Sequence, residues 1–383
     1  MKRGRISEVK IVHFSDTHLG FSDFELTTKR GINQREADFY HAFEEVIDAI
    51  LEKKPSYVIH TGDLFHRVSP SNRAITFALL QFKRLEKANI PLIIIAGNHS
   101  TPRTSNTTSI LALLQVLENV TAVFSQHYEA VVCEEVVFHA LPHINDERII
   151  EGELDKIEAN IDPQKRNILM MHCSVGAHYL MHEFGEWVYP KTREVLFEKM
   201  DYVALGHWHG FGAVGNYSHV YYAGSTERTS RTDRRRAKGY IEVVLEKDKA
   251  LEVTHHTIAL RNSLCFHIDA ENYVEEVARL DVSESEGALV EVVLYHLTPS
   301  TSLDFHNEEI KAYFPNALHV SIRREFKSVE VKPIESDIES LSLEGYFLSH
   351  IEESTADRAE AKRLSKKAKE LFAQYRENTH DTH

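Results

Sequence analysis

Five short apolar runs in this 383-residue chain stop on side chains able to bind metal ions. KIVHFS (10–15) gives way to Asp16 and His18, and YVIHTG (57–62) to Asp63 and His66. LIIIAG (92–97) is followed by Asn98 and His99, NILMM (167–171) by His172, and DYVALG (201–206) by His207 and His209. The runs alternate with helical patterns, which predicts an α/β chain of layered strands and helices. In an open α/β sheet, ligands gather at the carboxyl ends of the strands, where the loops converge. Five such endings point to one site.

The spacings agree with this. Asp16 and His18 flank Thr17, and an i, i+2 pair leaving an extended strand projects to one side. His207 and His209 repeat the arrangement around Trp208. Gly62, Gly97 and Gly206 precede their ligands and permit tight turns. Two carboxylates, one amide oxygen and four imidazoles suit Mn²⁺, Fe²⁺ or Zn²⁺, whereas Mg²⁺ prefers more oxygen. The set is too large for one ion and right for two, roughly 3.5–4 Å apart, clamping a phosphoryl displacement.

In this order, DTH (16–18), GDLFH (62–66), GNH (97–99), MH (171–172) and GHWH (206–209) resemble the calcineurin-like metallophosphoesterase family. With YYAGST (221–226) they are similar to its SbcD-type branch of DNA double-strand-break repair nucleases. The resemblance, which spans residues 9 to about 245, implies a two-sheet α/β sandwich with a dinuclear centre. It implies that Asp16, His18 and His209 bind one metal, that Asp63 bridges, and that Asn98, His172 and His207 bind the other. It also implies that His99 protonates the leaving oxygen and that His66 positions the DNA end. The implied activity is a Mn²⁺-dependent 3′-to-5′ duplex exonuclease and single-strand or hairpin endonuclease. Its rivals are a non-catalytic scaffold and a small-molecule phosphodiesterase.

Ser100 departs from the family, which carries an acid after the histidine. An adjacent carboxylate can orient an imidazole and favour its protonated form. Losing such a partner costs ~10–100-fold in activity or metal affinity. The expectation is an active enzyme whose His99 is oriented by another group.

The net charge of −14 argues against a surface that binds nucleic acid throughout. One local basic run, Arg228, Arg231, Arg234, Arg235, Arg236 and Lys238, is the candidate for DNA phosphates. Three scattered cysteines, Cys133, Cys173 and Cys265, form no disulfide framework, and Cys173 reads as core. No apolar run approaches the roughly 20 residues of a membrane span. The expectation is a reduced, cytoplasmic protein. His178 and His182, at i, i+4, read as surface; His255 and His256 adjoin in a strand and face opposite ways.

The metallophosphoesterase domain is expected over 7–260, a small α+β capping domain over 261–330, and a linker with helices over 331–383. Helices 36–54 and 71–89 should pack Phe39, Phe43, Val46, Ile47 and Ile50, and Ile75, Leu79 and Phe82, on a sheet. Tyr40, Phe77 and Leu80 add apolar surface outside those stripes. In the family this helix pair dimerises, and C-terminal helices dock on the coiled-coil ABC-type ATPase SbcC.

Overall fold

The computed structural model describes residues 8–104, 107–176, 186–247, 249–298, 301–327, 343–354 and 358–379. The chain opens with β1 (Glu8–Phe14), α1 (Gln34–Lys53), β2 (Tyr57–His60), α2 (Asn72–Lys87), β3 (Leu92–Ile95) and β4 (Val120–Val123). These four strands are parallel neighbours in one sheet. A second sheet takes β5 (Glu129–Val132), β6 (Val136–Leu141), β7 (Arg166–His172), β8 (Tyr202–Gly206), β9 (Gly212–Ala213) and β10 (Val220–Tyr222). Helix α3 (Ile150–Ala159) lies between β6 and β7 in sequence. The chain then returns to the first sheet, where β11 (Gly239–Glu246) pairs antiparallel with β1 and β12 (Glu252–Thr257) with β11.

The order of burial makes this a sandwich. Ile11, Ile59, Ile93 and Ile95 of the first sheet pack against Phe138, Ile168, Met170 and Tyr202 of the second. Its outer face is covered by α1 and α2, and the outer face of the second by α3. Strands β1, β2, β3, β7 and β8 are therefore buried on both faces, which is why they read as unbroken apolar runs. Cys173 sits in the second outer core.

Asn33 caps α1, accepting from the N–H groups of Arg35 and Glu36, and Ser71 caps α2 through Ala74 N–H. The stripe of α1 is buried where periodicity placed it, with Tyr40 added. Helix α2 is rotated from its expected face: Ala74, Ala78, Gln81, Phe82 and Leu85 are buried, while Ile75 and Leu79 are only partly so. Small residues win the inner face because the backbone comes close: a Cβ on Gly20 would lie 3.3 Å from that of Ala74.

A third sheet holds β13 (Ser263–Asp269), β14 (Leu289–Leu297) and β15 (His319–Phe326), all parallel. Helices α4 (Tyr273–Ala278) and α5 (Asn307–Lys311) lie in the connections. Arg261 ties this unit to α1 by a two-pronged contact with Asp38 (2.7 and 2.9 Å), and Phe24 stacks on His319 at 3.8 Å. Helices α6 (Leu343–Ser354) and α7 (Arg358–Thr379) pair through Leu348, Ile351, Ala361 and Ala368. No described helix is long and apolar enough to cross a membrane. His178, His182, the linker 331–338 and the polar end of the tail lie outside the described residues.

Candidate metal centre

The loops after β1, β2, β3, β7 and β8 meet at one end of the sandwich, and their strand-end residues form one buried cluster. Three overlapping groups bring donor atoms within 4.8 Å of one another: Asp16–His18–His209, Asp16–Asp63–His172 and His18–His66–His99. The first two loops are knitted backbone to backbone: Asp16 N–H donates to Gly62 O, His18 N–H to Asp63 O and His66 N–H to Leu19 O. Four of the residues sit in left-handed backbone: Asp16 (φ 50°), His18 (42°), Asp63 (54°) and His207 (95°). Such conformations cost on the order of 1–3 kcal/mol each and persist where surrounding structure over-determines them. Gly97 is required by space: a Cβ there would lie 2.2 Å from Asp63 Oδ1 and 2.6 Å from Asp63 N.

The donors are aimed inward by partners behind them. His172 Nδ1–H donates to Thr61 O (2.8 Å), which turns Nε2 toward Asn98 Oδ1 at 2.9 Å and Asp63 Oδ2 at 3.4 Å. Burial opposes charge on this ring, yet the Asp63 and Asp16 carboxylates and the Thr61 carbonyl raise its pKa to about 9. Asp63 is also buried; the surrounding imidazoles hold it well below the usual carboxylate range. Such a donor set is electrostatically built for a cation, and its N and O atoms match a divalent transition ion. His207 N–H donates to both Asp16 oxygens (3.1 Å), and its Nε2 meets Glu186 Oε1 at 3.0 Å. His18 Nε2 lies 3.1 Å from His209 Nε2.

His99 lies beside this cluster and, like His66, is only partly buried. Its N–H donates to Asp63 Oδ1 (3.0 Å), and its Nδ1–H donates to His66 O (2.7 Å). Nε2 is thereby left toward the centre, 4.0 Å from Asp63 Oδ2. His66 stacks on His99 with ring centroids 5.4 Å apart. Ser100 does not orient His99. Its side chain is fully buried, and its Oγ has no hydrogen-bond partner among the described residues. The His66 carbonyl supplies the orientation instead. Ser100→Asp should therefore fail to stimulate catalysis, and its uncompensated buried carboxylate should lower stability by about 3–5 kcal/mol in urea unfolding.

The basic run requires a correction. Lys238 is buried, and its ammonium is occupied by Asp233 Oδ1 (3.1 Å), His209 O (2.7 Å) and Ser225 Oγ (2.7 Å). It has no surface to offer a phosphate. Arg228 donates to Arg261 O, Arg234 pairs with Glu291 on β14 (2.7 Å), and Arg236 lies over the Trp208 ring (4.2 Å). Arg231 and Arg235 are exposed, although Arg231 also reaches Glu291 at 3.1 Å. His255 stacks on Phe211 while His256 pairs with Glu242, so the two do face opposite ways.

Several supporting residues escaped the sequence reading. His13, His60 and His143 are buried and kept neutral, with burial driving each pKa to about 3. His13 bridges Tyr202 and Thr61, and the His143 ring lies 6.4 Å from that of His172. Glu186 and Asp233 stand behind His207 and His209. No short-range spacing marks any of them.

A buried two-carboxylate, multi-histidine centre at the strand ends of a two-sheet sandwich defines a metallophosphoesterase. Residues 9–211 match the calcineurin-like phosphoesterase family, and the chain belongs to it. Among curated proteins, it is similar to the DNA double-strand break repair protein Mre11 of Methanococcus maripaludis, 30% identical over 244 residues, 61% of this chain and 62% of that one. The Mre11 protein of Thermoplasma acidophilum is 28% identical over 286 residues, 70% of each chain. That of Methanocaldococcus jannaschii is 32% identical over 242 residues, 60% of each. The matches thus span 60–70% of the length of these curated relatives.

Proposed function

We propose that this chain is the Mn²⁺-dependent nuclease subunit of a DNA double-strand-break repair complex, cutting duplex ends 3′ to 5′ and single strands or hairpins internally. The observation that carries the reading is the convergence of Asp16, His18, Asp63, His172 and His209, with Asn98 and His207 against His172, beneath a histidine whose Nε2 is turned toward Asp63. Asp16, His18 and His209 would hold one ion, Asn98, His172 and His207 the other, with Asp63 between. Two ions there would generate a hydroxide nucleophile and neutralise charge developing on the phosphate. His99, held by the His66 carbonyl, protonates the leaving oxygen through Nε2. His66, stacked on His99 and edge-to-face with Phe21, positions the DNA end. The printed name of the relatives supports DNA as the substrate.

In this reading residues 7–260 are the nuclease domain and 261–330 the capping domain that directs DNA. A cavity of about 320 Å³ between them is lined by Phe24, Arg228, Arg234, Arg261 and His319. Of the basic run, the exposed Arg235 is the first candidate for a phosphate contact, with Arg231 and Arg236 able to reach one only by sharing or leaving Glu291 and Trp208. Residues 331–383 would dock on a coiled-coil ABC-type ATPase of the SbcC kind, presenting the exposed Phe347, Leu364 and Leu371. The protein would act in the cytoplasm.

Dimerisation through α1 and α2 belongs to the same proposal, on a narrower face than the sequence suggested. Tyr40 is buried, Phe77 stacks on it at 4.3 Å, and Leu80 remains 62% exposed. Leu80→Glu should convert a dimer to a monomer in light scattering without loss of helix content.

The test is cleavage of end-labelled linear duplex by the purified chain with Mn²⁺, beside an Asp63→Ala control. Cleavage lost in the control is expected. DNA left intact by both proteins, alone and with the ATPase, would overturn the nuclease reading in favour of a scaffold. Hydrolysis of an aryl phosphodiester alone would favour a small-molecule enzyme.

A further inference from the structure

Behind His209 stands a carboxylate that belongs to none of the strand-end motifs. Asp233 is 1% exposed. Its Oδ2 accepts from the Thr229 hydroxyl (3.1 Å) and the Thr229 N–H (3.3 Å), and lies 3.4 Å from His209 Nδ1. Because the Thr229 hydroxyl gives its proton to Asp233, its oxygen accepts from His209 Nδ1–H at 2.8 Å. The imidazole proton is thereby fixed on Nδ1, and the Nε2 lone pair faces the centre.

Lys238 completes the arrangement. It neutralises the other Asp233 oxygen and at the same time donates to the His209 carbonyl. One side chain holds the backbone of His209 while the other, through Thr229, holds its ring. Arg231 and Arg234 clasp the same loop to Glu291, so Asp233 is braced from the third sheet as well.

A partner that takes the far ring proton fixes the tautomer of a ligating imidazole and raises its basicity. We propose that Asp233, acting through Thr229, is a positioning residue for the His209 half of the centre. The inference rests on the reading of His209 as a metal ligand. It implies an uneven effect: the ion held by Asp16, His18 and His209 should weaken, and the ion held by Asn98, His172 and His207 should not.

The test is Mn²⁺ titration of the full chain without DNA, read by free-Mn²⁺ electron paramagnetic resonance and by thermal unfolding. Wild type should bind two ions. Asp233→Ala alone would strand the Lys238 charge, so the variant used is Asp233→Leu with Lys238→Met, which removes both charges. One of its two affinities should fall ~10–100-fold, with the other little changed, and the exchange-coupled two-ion signal should give way to that of a single ion. Asp233→Asn with Lys238→Met keeps an oxygen to accept the Thr229 proton and should recover most of the lost affinity. If the Leu/Met pair does not fold, Thr229→Val, which leaves the ion pair in place, carries the same expectation. Two wild-type affinities in the folded variant, or an equal fall in both, would overturn the proposal. A wild-type chain that binds no Mn²⁺ would instead overturn the metal reading on which it rests.

Discussion

Asp63→Asn should reduce Mn²⁺-dependent DNA cleavage on the order of 10³-fold while leaving the chain folded. Asparagine tolerates the left-handed backbone of position 63 better than other non-glycine residues. Its amide oxygen can still accept from His99 N–H, the bond that joins the second and third loops. What disappears is the negative charge at the focus of His18, His99 and His172. The charge-stabilising groups of an active site are worth about 10²–10³-fold each, and a carboxylate serving two ions belongs at the upper end. Gel assays on end-labelled duplex give the rate, and circular dichroism gives the fold. Cleavage within about tenfold of wild type would remove Asp63 from the centre.

His99→Gln should fall differently. General acid catalysis contributes typically ~10²–10⁴-fold, and the need for it depends on the leaving group. DNA cleavage expels a poor alkoxide, so the variant should lose about that factor. An aryl phosphodiester expels a stable phenolate, and there the loss should shrink to about tenfold or less. Asp63→Asn should show no such recovery, because the charge it removes serves both substrates alike. Mn²⁺ uptake should be unchanged in His99→Gln, since the imidazole is directed by the His66 carbonyl and does not organise the other donors. Equal losses on both substrates would assign His99 to binding instead of proton transfer.

The convergence of the strand ends was legible because it depends on a local rule. A doubly buried strand reads as an apolar run, and whatever follows it lies at the sheet's edge. Asp16, Asp63, Asn98 and His172 obey that rule, and the structure gathers them. The groups that aim them are a different matter. The His66 carbonyl that holds His99 is backbone, and backbone atoms carry no sequence signal. Asp233 is hidden among five arginines, so the run reads as a basic surface when its centre faces inward. Lys238 was misread for the same reason: charge composition cannot distinguish an ammonium in solvent from one that caps a carbonyl, a hydroxyl and a carboxylate. The rotation of α2 was hidden as well, because periodicity favours Ile75 and Leu79, whereas close packing favours Ala74 and Ala78.

The antiparallel pairing of β1 with β11 sets when the centre can exist during synthesis. Every proposed ligand has been made once residue 209 is joined, but the strand that leads into Asp16 and His18 still lacks its second neighbour. That neighbour, Gly239–Glu246, brings with it Lys238, and just before it come Thr229 and Asp233. A ribosome-bound chain halted after His209 would contain the whole proposed ligand inventory but neither the second neighbour of β1 nor the Thr229, Asp233 and Lys238 support of His209. Completion of the proposed centre is thereby deferred until the domain is nearly complete. The same dependence makes residues 225–246 the segment whose deletion should be most damaging to a site it does not itself ligate.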